Sequence, residues 1–344
     1  MTTESSASTR LARTTIEDVA REAGVSKGTV SRVLNGRNWV SDSTREAVQA
    51  ALQRTGFVAN ASARSLAMRR TGSVALVLGA PATHLFEDPN YALILQVITA
   101  ELADADYSLI FMSGETPSDR GRLARFLKGG HVDGVVFLSA EEPESDELVR
   151  VLEEHAVPVI VIGHPFPDSD PLPFIAADDE QGGRLLAQHF IDRGYRRIGV
   201  IGSHLGSVGS RSRIDSFLDH VGDRSRREWV VEAKQFSIDA GRDAMRTLIA
   251  RVDNLDAVFA ASDLLAAGAI DVANERGLTV PGDIAIAGFD DSSAATRTVP
   301  PLTTIRMDVA ATARATVVQM LSVINGGETI SRVMPVELIV RGSA

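Results

Sequence analysis

The run Thr15-Ile16-Glu17-Asp18-Val19-Ala20-Arg21-Glu22-Ala23-Gly24-Val25-Ser26, continued by Lys27-Gly28-Thr29-Val30-Ser31-Arg32-Val33-Leu34-Asn35-Gly36, decides how this chain begins. Ile16, Val19, Ala20 and Ala23 fall at i, i+3, i+4 and i+7, one apolar face of a helix. Thr15 with Asp18 three residues on has capping-box spacing, with Asp in the usual Glu place. Gly24 ends the helix, because glycine takes the left-handed C′ conformation without strain. A second helix starts after Ser26 and turns Val30, Val33 and Leu34 inward. A third is predicted from about Ser43 to Thr55, with Val48, Ala51 and Leu52 inward and Ser43/Glu46 as a second capping box. Two helices joined by a tight glycine-containing turn, with a third bracing them, form a helix-turn-helix.

In that arrangement the second helix fits the major groove of double-stranded DNA with its first residues at base edges. The outward positions here are Lys27, Gly28, Thr29 and Arg32. Lysine and arginine donate to guanine O6 and N7, while Ser26, Thr29 and Ser31 can donate to phosphates. On periodicity alone, a plain helical subdomain with a solvated basic face explains the same pattern equally well.

The order of residues separates the two. The runs quoted above, followed by Val40-Ser41, Thr44-Arg45, Gly56-Phe57, Asn60 and Ala63-Arg64-Ser65-Leu66, resemble the head of the lactose-repressor (LacI) family of bacterial transcription regulators. The resemblance implies a disordered tail at 1–13, a small all-α DNA-binding head at 14–59 and a hinge helix at 60–71. It implies DNA contacts from Thr15, Ser26, Lys27, Gly28, Thr29, Ser31, Arg32 and Asn35, and from Ala63 and Leu66 of the hinge. Gly28 has no side chain where some relatives carry a base-reading group, so base readout leans on Lys27, Thr29 and Arg32. The hinge has good helix formers but is too short to be a stable helix alone in water. The resemblance implies that two hinges fold together on DNA and that Leu66 wedges into the central base step. Read without the resemblance, Leu66 is better explained as an anchor against the body.

Charge follows the same division. Of 35 basic and 45 acidic residues in the chain, residues 1–70 hold 11 and 6, a balance of +5; residues 71–344 hold the other 24 and 39, a balance of −15. A small basic head on an acidic body points to a polyanion-binding module joined to something that is not one. The 344 residues exceed twice the roughly 150 of a typical domain. With 44% hydrophobic and 23% charged residues the composition is that of an ordinary soluble protein. No apolar run approaches a membrane span, and residues 1–13 are Ser/Thr-rich without an apolar stretch, so no membrane partner and a cytoplasmic location are expected. Zero cysteines exclude disulfides, thiolate metal sites and a Cys nucleophile.

From Gly72 on, apolar β-rich runs at 74–78, 107–112, 134–138, 157–162, 198–202, 257–260 and 284–288 alternate with helical stretches. That alternation means βαβ units and parallel sheets, covered on both faces because the strands are almost continuously apolar. The pattern restarts after Pro171, which predicts two α/β lobes. The last stretch is predicted to hold one helix at about 309–324 and one strand at 333–340. The family resemblance continues through 86–91, 133–135, 159–164, 194–197, 259–267, 288–291 and 301–305. It implies a periplasmic-binding-protein-like effector domain over 72–344, two Rossmann-like parallel-sheet subdomains with a ligand cleft between them.

Motifs for nucleotide binding and zinc hydrolysis are absent: no GxGxxG, Walker GxxxxGK[ST] or HExxH. The seven histidines lack ligand spacing, so neither a metal nor another cofactor is expected. The adjacent pairs Asp178-Asp179 and Asp290-Asp291 suit helix capping and ligand hydrogen bonding better than acid–base chemistry. Carried over position by position, the resemblance implies effector contacts from Asn90, Tyr91 and His164 in the first lobe, and from Arg213, Phe236, Asp263 and Asp290 in the second. Arginine and aspartate can hold vicinal hydroxyls while an aromatic face stacks on a pyranose, which fits a sugar. Phe236 reads as well as core, and Asp263 as a cap of the helix that follows it.

The function so implied is a DNA-binding repressor of carbohydrate-utilisation genes, released by a sugar inducer and acting as a homodimer on a pseudo-palindromic operator. No leucine heptad near the end of the chain suggests a coiled-coil tetramer. A corepressor-activated repressor is the alternative within that class. A sugar-binding transport protein and an enzyme are the readings from other classes, disfavoured by the basic head and the missing motifs.

Overall fold

The computed structural model describes residues 14–34, 40–57, 70–79, 81–138, 145–154, 157–164, 172–203, 208–233 and 235–344. The chain forms two compact units, Met1–Thr71 and Gly72–Ala344. The first holds three helices, α1 (Ile16–Ala23), α2 (Lys27–Leu34) and α3 (Asp42–Thr55). Thr15 and Asp18 form the expected capping box, and Gly24 closes α1 in the left-handed region at φ 66°. The third helix starts earlier than its periodicity suggests. Ser41 is the N-cap, its hydroxyl accepting from the Thr44 N–H, so Ser43 lies inside the helix and caps nothing. Val19, Ala20, Val30, Val48 and Ala51 are the buried centre, with Val33, Leu34 and Leu52 packed around them.

The second unit is built from two six-stranded sheets. The first contains β1 (Ser73–Leu78), β2 (Ser108–Ser113), β3 (Gly134–Leu138), β4 (Val159–Ile162), β5 (Phe174–Ala177) and β11 (Arg332–Met334), ordered β11-β5-β4-β3-β1-β2 and parallel throughout. Its two faces are read off alternate residues, since successive side chains point to opposite sides of a strand. Val74, Leu76 and Leu78 face α5 (Pro89–Asp104) and α12 (Val309–Ile324). Ala75 and Val77 face α6 (Pro117–Lys128) and α7 (Ser145–Glu153). A short α4 (His84–Glu87) precedes α5. Leu76 is 1% exposed, and truncating such a leucine to alanine costs about 2–5 kcal/mol.

The second sheet holds β6 (Ile198–Gly202), β7 (Val230–Glu232), β8 (Ala257–Ala260), β9 (Ala285–Asp290), β10 (Thr303–Met307) and β12 (Val336–Ile339), ordered β12-β10-β9-β8-β6-β7. Only β12 runs antiparallel to its neighbour among these pairs. Helices α8 (Asp179–Asp192) and α9 (Val208–Val221) cover one face through Leu186, Phe190, Ile214 and Phe217. Helices α10 (Ile238–Arg251) and α11 (Asp263–Glu275) cover the other through Met245, Leu248, Leu265 and Ala269. Gly183 lets α8 and α9 touch: a Cβ there would collide with the Ser216 hydroxyl and the Arg213 carbonyl.

The chain crosses between the lobes three times, and here the structure corrects two expectations. The first lobe does not end at Pro171. Strand β5 still pairs with β4, Ile162 opposite Ile175, and the crossing falls at Asp178, which caps α8. The stretch 333–340 is not one strand but two. Strand β11 joins the first sheet beside β5, β12 joins the second beside β10, and Pro335 lies between them. A proline cannot donate to a sheet ladder, which suits the point where one sheet is left for another. The remaining crossing, at Asp308, repeats the first: Asp178 and Asp308 share nearly the same backbone geometry, and each caps the helix it precedes.

Candidate functional site

Two sites need separate description, one in each unit. In the head, Ser26, Lys27, Gly28 and Arg32 are exposed on α2, with Thr29 and Ser31 half-buried. The Ser26 hydroxyl accepts from the Thr29 N–H at 3.1 Å and lies 2.9 Å from the Thr29 hydroxyl, a local network that fixes the start of α2. The Lys27 ammonium is paired with Glu17 of α1, and that hydrogen bond holds the Glu17 carboxyl below its ordinary value. Thr15 commits its hydroxyl to Asp18 at 2.8 Å. The predicted contacts Asn35, Ala63 and Leu66, with most of the hinge, lie outside the described residues.

In the body, a cavity opens between the lobes at the C-terminal ends of the parallel strands, where open α/β sheets bind ligands. Both sheets carry the same core order, β2-β1-β3-β4-β5 in one and β7-β6-β8-β9-β10 in the other. The first lobe contributes Asp88, Asn90 and Tyr91 at the start of α5, Leu138 at the end of β3, Ile162 at the end of β4 with Gly163 and His164 beyond it, and Ile175 to Ala177 of β5. The second contributes Asp179, Gly209, Arg213, Phe236 and Asp290, and the Asp308 crossing adds Met307, Val309 and Thr312.

Six of the seven predicted effector residues therefore line one cavity: Asn90, Tyr91, His164, Arg213, Phe236 and Asp290. Asp263 does not. It is 0% exposed at the start of α11. One of its oxygens accepts from the Ser292 N–H and the other from the Thr304 hydroxyl, both at 2.6 Å. Its place is beneath the 290–292 loop, which it holds against β10. Burial pushes its carboxyl up to about 7, against the hydrogen bonds from Thr304 and Ser292. Phe236 lines the cavity and also packs on both cores of its lobe, so its two readings hold together.

Arg213 is the hub of the cavity. It stands on α9, not at a strand end, and its guanidinium lies over the Phe289 ring at 3.9 Å from the centroid. Nε donates to Asp179 at 2.9 Å, and one terminal nitrogen lies 2.7 Å from the same oxygen. The other donates to the Ala261 carbonyl at 2.8 Å and lies 3.6 Å from Asp290. Asp179 is not among the seven predicted effector residues; the sequence marked it only through the Asp178-Asp179 pair, as suited to helix capping and ligand hydrogen bonding. A Cβ on Gly209 would lie 2.5 Å from its carboxylate, so glycine there leaves Asp179 room.

The carboxyls divide by environment. Burial works against the Asp179 charge, but Arg213 and His164 outweigh it and hold the group below its ordinary value. Burial pushes Asp290 well above the carboxylate range; Arg213 opposes that rise, while Asp263, Asp88 and Asp179 reinforce it. Asp290 also sits at φ 113° and Asp291 at φ 55°, a strained corner of a kind found at functional sites. Asp291 anchors that corner through Arg306 at 2.7 Å and Arg341 at 2.6 Å. His164 lies 3.4 Å from Asp179 and 3.2 Å from the Ala177 carbonyl; burial disfavours its charge, yet Asp179 raises its pKa above the ordinary value. A cavity with these donors and acceptors beside Tyr91 and Phe236 suits a polyhydroxylated ring. No group of three or more His, Cys, Asp or Glu able to hold a metal ion occurs among the described residues.

Comparison with known proteins finds a match in each unit. Residues 15–60 match the family described as bacterial regulatory proteins, lacI family, and residues 187–344 match a periplasmic binding protein-like domain. The HTH-type transcriptional regulator CelR of Thermobifida fusca is 36% identical over 339 residues, covering 97% of this chain and 99% of its own. The regulator MalR of Streptomyces coelicolor is 33% identical, covering 96% of each. Among solved structures, a complex of the transcriptional regulator CelR with cellobiose superposes with a TM-score of 0.75 at 34% identity, covering 96% of this chain and 100% of that one. The lac repressor dimer bound to operator and the anti-inducer ONPF superposes with a TM-score of 0.82 at 25% identity, covering 96% and 99%. These relatives are regulators of transcription, and no helix among the described residues is long and apolar enough to cross a membrane.

Proposed function

Because this chain belongs to the lacI family of bacterial regulatory proteins, we propose that it is a cytoplasmic, non-enzymatic repressor of carbohydrate-utilisation genes, released from its operator by a sugar. The observation that carries the sugar is the cavity: one buried arginine among Asp179, Asp290 and Asp88, with the rings of Tyr91 and Phe236 on its walls. The solved complex of a CelR regulator with cellobiose supports the same ligand class. Asn90, Tyr91, His164, Arg213, Phe236 and Asp290 are the proposed sugar contacts.

On DNA, α2 enters the major groove, with Lys27, Thr29 and Arg32 at base edges and Ser26 and Ser31 on phosphates. Thr15, Gly28 and Asn35 approach the backbone, and Ala63 and Leu66 of the hinge reach the minor groove. A head this small covers half of a two-fold site, so two copies bind together, as in the operator-bound lac repressor dimer.

The test is selection of duplexes from a random pool by the full-length chain, followed by binding at several salt concentrations. An inverted repeat should emerge, and its affinity should fall steeply with salt, as counterion release requires. Recovery of no repeat, or a salt-independent affinity, would remove the assignment. The effect of sugar on the selected duplex decides between inducer and corepressor: release marks the first, tightening the second.

A further inference from the structure

Asp290 reaches the interlobe cavity from a corner that its own backbone disfavours. Asp290 at φ 113° and Asp291 at φ 55° are consecutive residues with side chains in the region that favours glycine. Such strain persists only where the surroundings over-determine it. Here the surroundings act from three directions. Beneath the corner, the Ser292 N–H donates to Asp263 at 2.6 Å and the Asp291 N–H to the Thr304 hydroxyl at 3.4 Å. Beside it, Arg306 of β10 donates to one oxygen of the Asp291 carboxylate at 2.7 Å. The third hold comes from beyond β12. Arg341 donates to the other Asp291 oxygen at 2.6 Å and to the Leu302 carbonyl at 2.8 Å.

The two arginines are not equivalent. The Arg306 side chain is 46% exposed, that of Arg341 19%, against 7% for Asp291. A charge-assisted hydrogen bond screened less by water is the stronger, so Arg341 dominates the grip on Asp291. Its own backbone is fixed as well. The Arg341 N–H donates to the Thr303 hydroxyl at 2.9 Å and the Gly342 N–H to the Pro301 carbonyl at 3.0 Å. Ser343 then accepts from the Thr303 N–H at 2.8 Å and donates to the Ile286 carbonyl at 2.6 Å. Arg341 does not line the cavity.

We propose that Arg341 is a positioning residue for the effector site: through Asp291 it holds the left-handed corner that presents the Asp290 carboxyl to the cavity. The proposal rests on the sugar reading above and adds to it a residue that acts on the sugar without touching it. The strand that leads to Arg341 also follows from the first lobe, since β11 pairs with β5 before the chain passes Pro335 and joins β10 as β12. The carboxyl offered by the second lobe is thereby tied to a segment anchored in both.

The test is calorimetric titration of the full-length chain with glucose, galactose, mannose, cellobiose and maltose, with thermal melts alongside. For whichever of these binds the wild type most tightly, Arg341→Ala should weaken binding about tenfold. Positioning is then separated from support of the fold by placing glycine at the corner. In Arg341→Ala/Asp291→Gly the backbone can take a positive φ without strain and keep its hydrogen bond to Thr304, so most of the lost affinity should return. Arg341→Lys keeps the charge and loses the planar fork, so its affinity should fall between wild type and alanine. It carries the same glycine comparison should the alanine variant fold poorly. A melting temperature that drops while affinity stays within about twofold of wild type makes Arg341 a support of the fold alone. An affinity loss that glycine does not recover takes the corner out of the path. Either result overturns the proposal and leaves the sugar reading standing. A wild-type chain that binds none of the five sugars overturns the sugar reading, and the proposal with it.

Discussion

Arg213 and Asp179 form a buried pair in which two guanidinium nitrogens, at 2.9 and 2.7 Å, converge on one carboxylate oxygen, while Asp290 stands off at 3.6 Å. The pair makes the cavity unequal. Asp179 is satisfied by protein alone; Asp290 is buried, strained and only loosely held, which makes it the carboxyl that gains most from ligand hydroxyls.

Replacing Arg213 with alanine should therefore have two separable effects. It leaves Asp179 and Asp290 buried without their cation, which should destabilise the body by about 3–5 kcal/mol. It should also remove the response to sugar. Adding Asp179→Asn to the variant should recover part of the stability, measured by denaturant unfolding, and none of the sugar response, measured by calorimetry. Recovery of both together would mean that Arg213 only supports the fold.

Stability should fall as pH rises from about 5 to 7. Asp263 has an ordinary value of 3.8 and is pushed to about 7 in the fold, so the folded chain holds a proton that the unfolded chain has released. The stability linked to that proton is complete below about pH 4 and is lost as pH rises through 7. Asp290, raised in the same sense, adds to the slope, and raised His164 adds a further loss above its ordinary 6.5. Asp179, lowered, contributes fully above its ordinary 3.8 and matters only in acid. Asp263→Asn should flatten the slope in thermal melts between pH 5 and 7. A wild-type melting temperature that climbs over that range contradicts the assignment.

Charge should govern ligand choice. Asp88 and Asp179 face a cavity whose lining holds a single guanidinium, already paired with Asp179, so a phosphorylated sugar meets no uncompensated positive charge. A sugar phosphate should bind roughly a hundredfold more weakly than its parent sugar, ~2.7 kcal/mol, by competition calorimetry. Equal affinities would mean that Arg213 leaves Asp179 to take the phosphate.

How much of this was legible beforehand depended on how local the signal was. The head was readable because helix periodicity, the Thr15/Asp18 box and Gly24 all lie within one short run. Ser41 was missed as the cap of α3 because Ser41 and Ser43 are equally good capping residues, and only backbone conformation distinguishes them. The split at Pro335 was hidden because a strand's sheet is chosen by distant partners, β5 for one half and β10 for the other. Asp263 and Asp179 exchanged roles for a related reason. Each opens a helix after a strand or a crossing, and nothing near them in the chain tells which carboxylate faces the cavity.

The head carries its own prediction. Arg32→Ala should cost about 1–3 kcal/mol on the selected operator and relax preference at one base pair, as loss of a base contact does. Glu17→Gln, which releases Lys27 from its partner, should instead strengthen binding to operator and to unrelated DNA alike, since it removes a negative charge beside the groove-facing helix. Fluorescence anisotropy on matched and scrambled duplexes separates the two.

The central claim is that a sugar held in the interlobe cavity controls the grip of the head on DNA. A ligand moves such an equilibrium only through its different affinity for the two states. The most direct measurement is anisotropy of a labelled operator in complex with the full-length chain, titrated with the tightest-binding sugar, for wild type and Arg213→Ala. The account predicts release of the wild type over the concentrations at which calorimetry shows sugar binding, with the variant still bound at those concentrations. Sugar that binds the chain by calorimetry yet leaves the wild-type complex on its operator would contradict it.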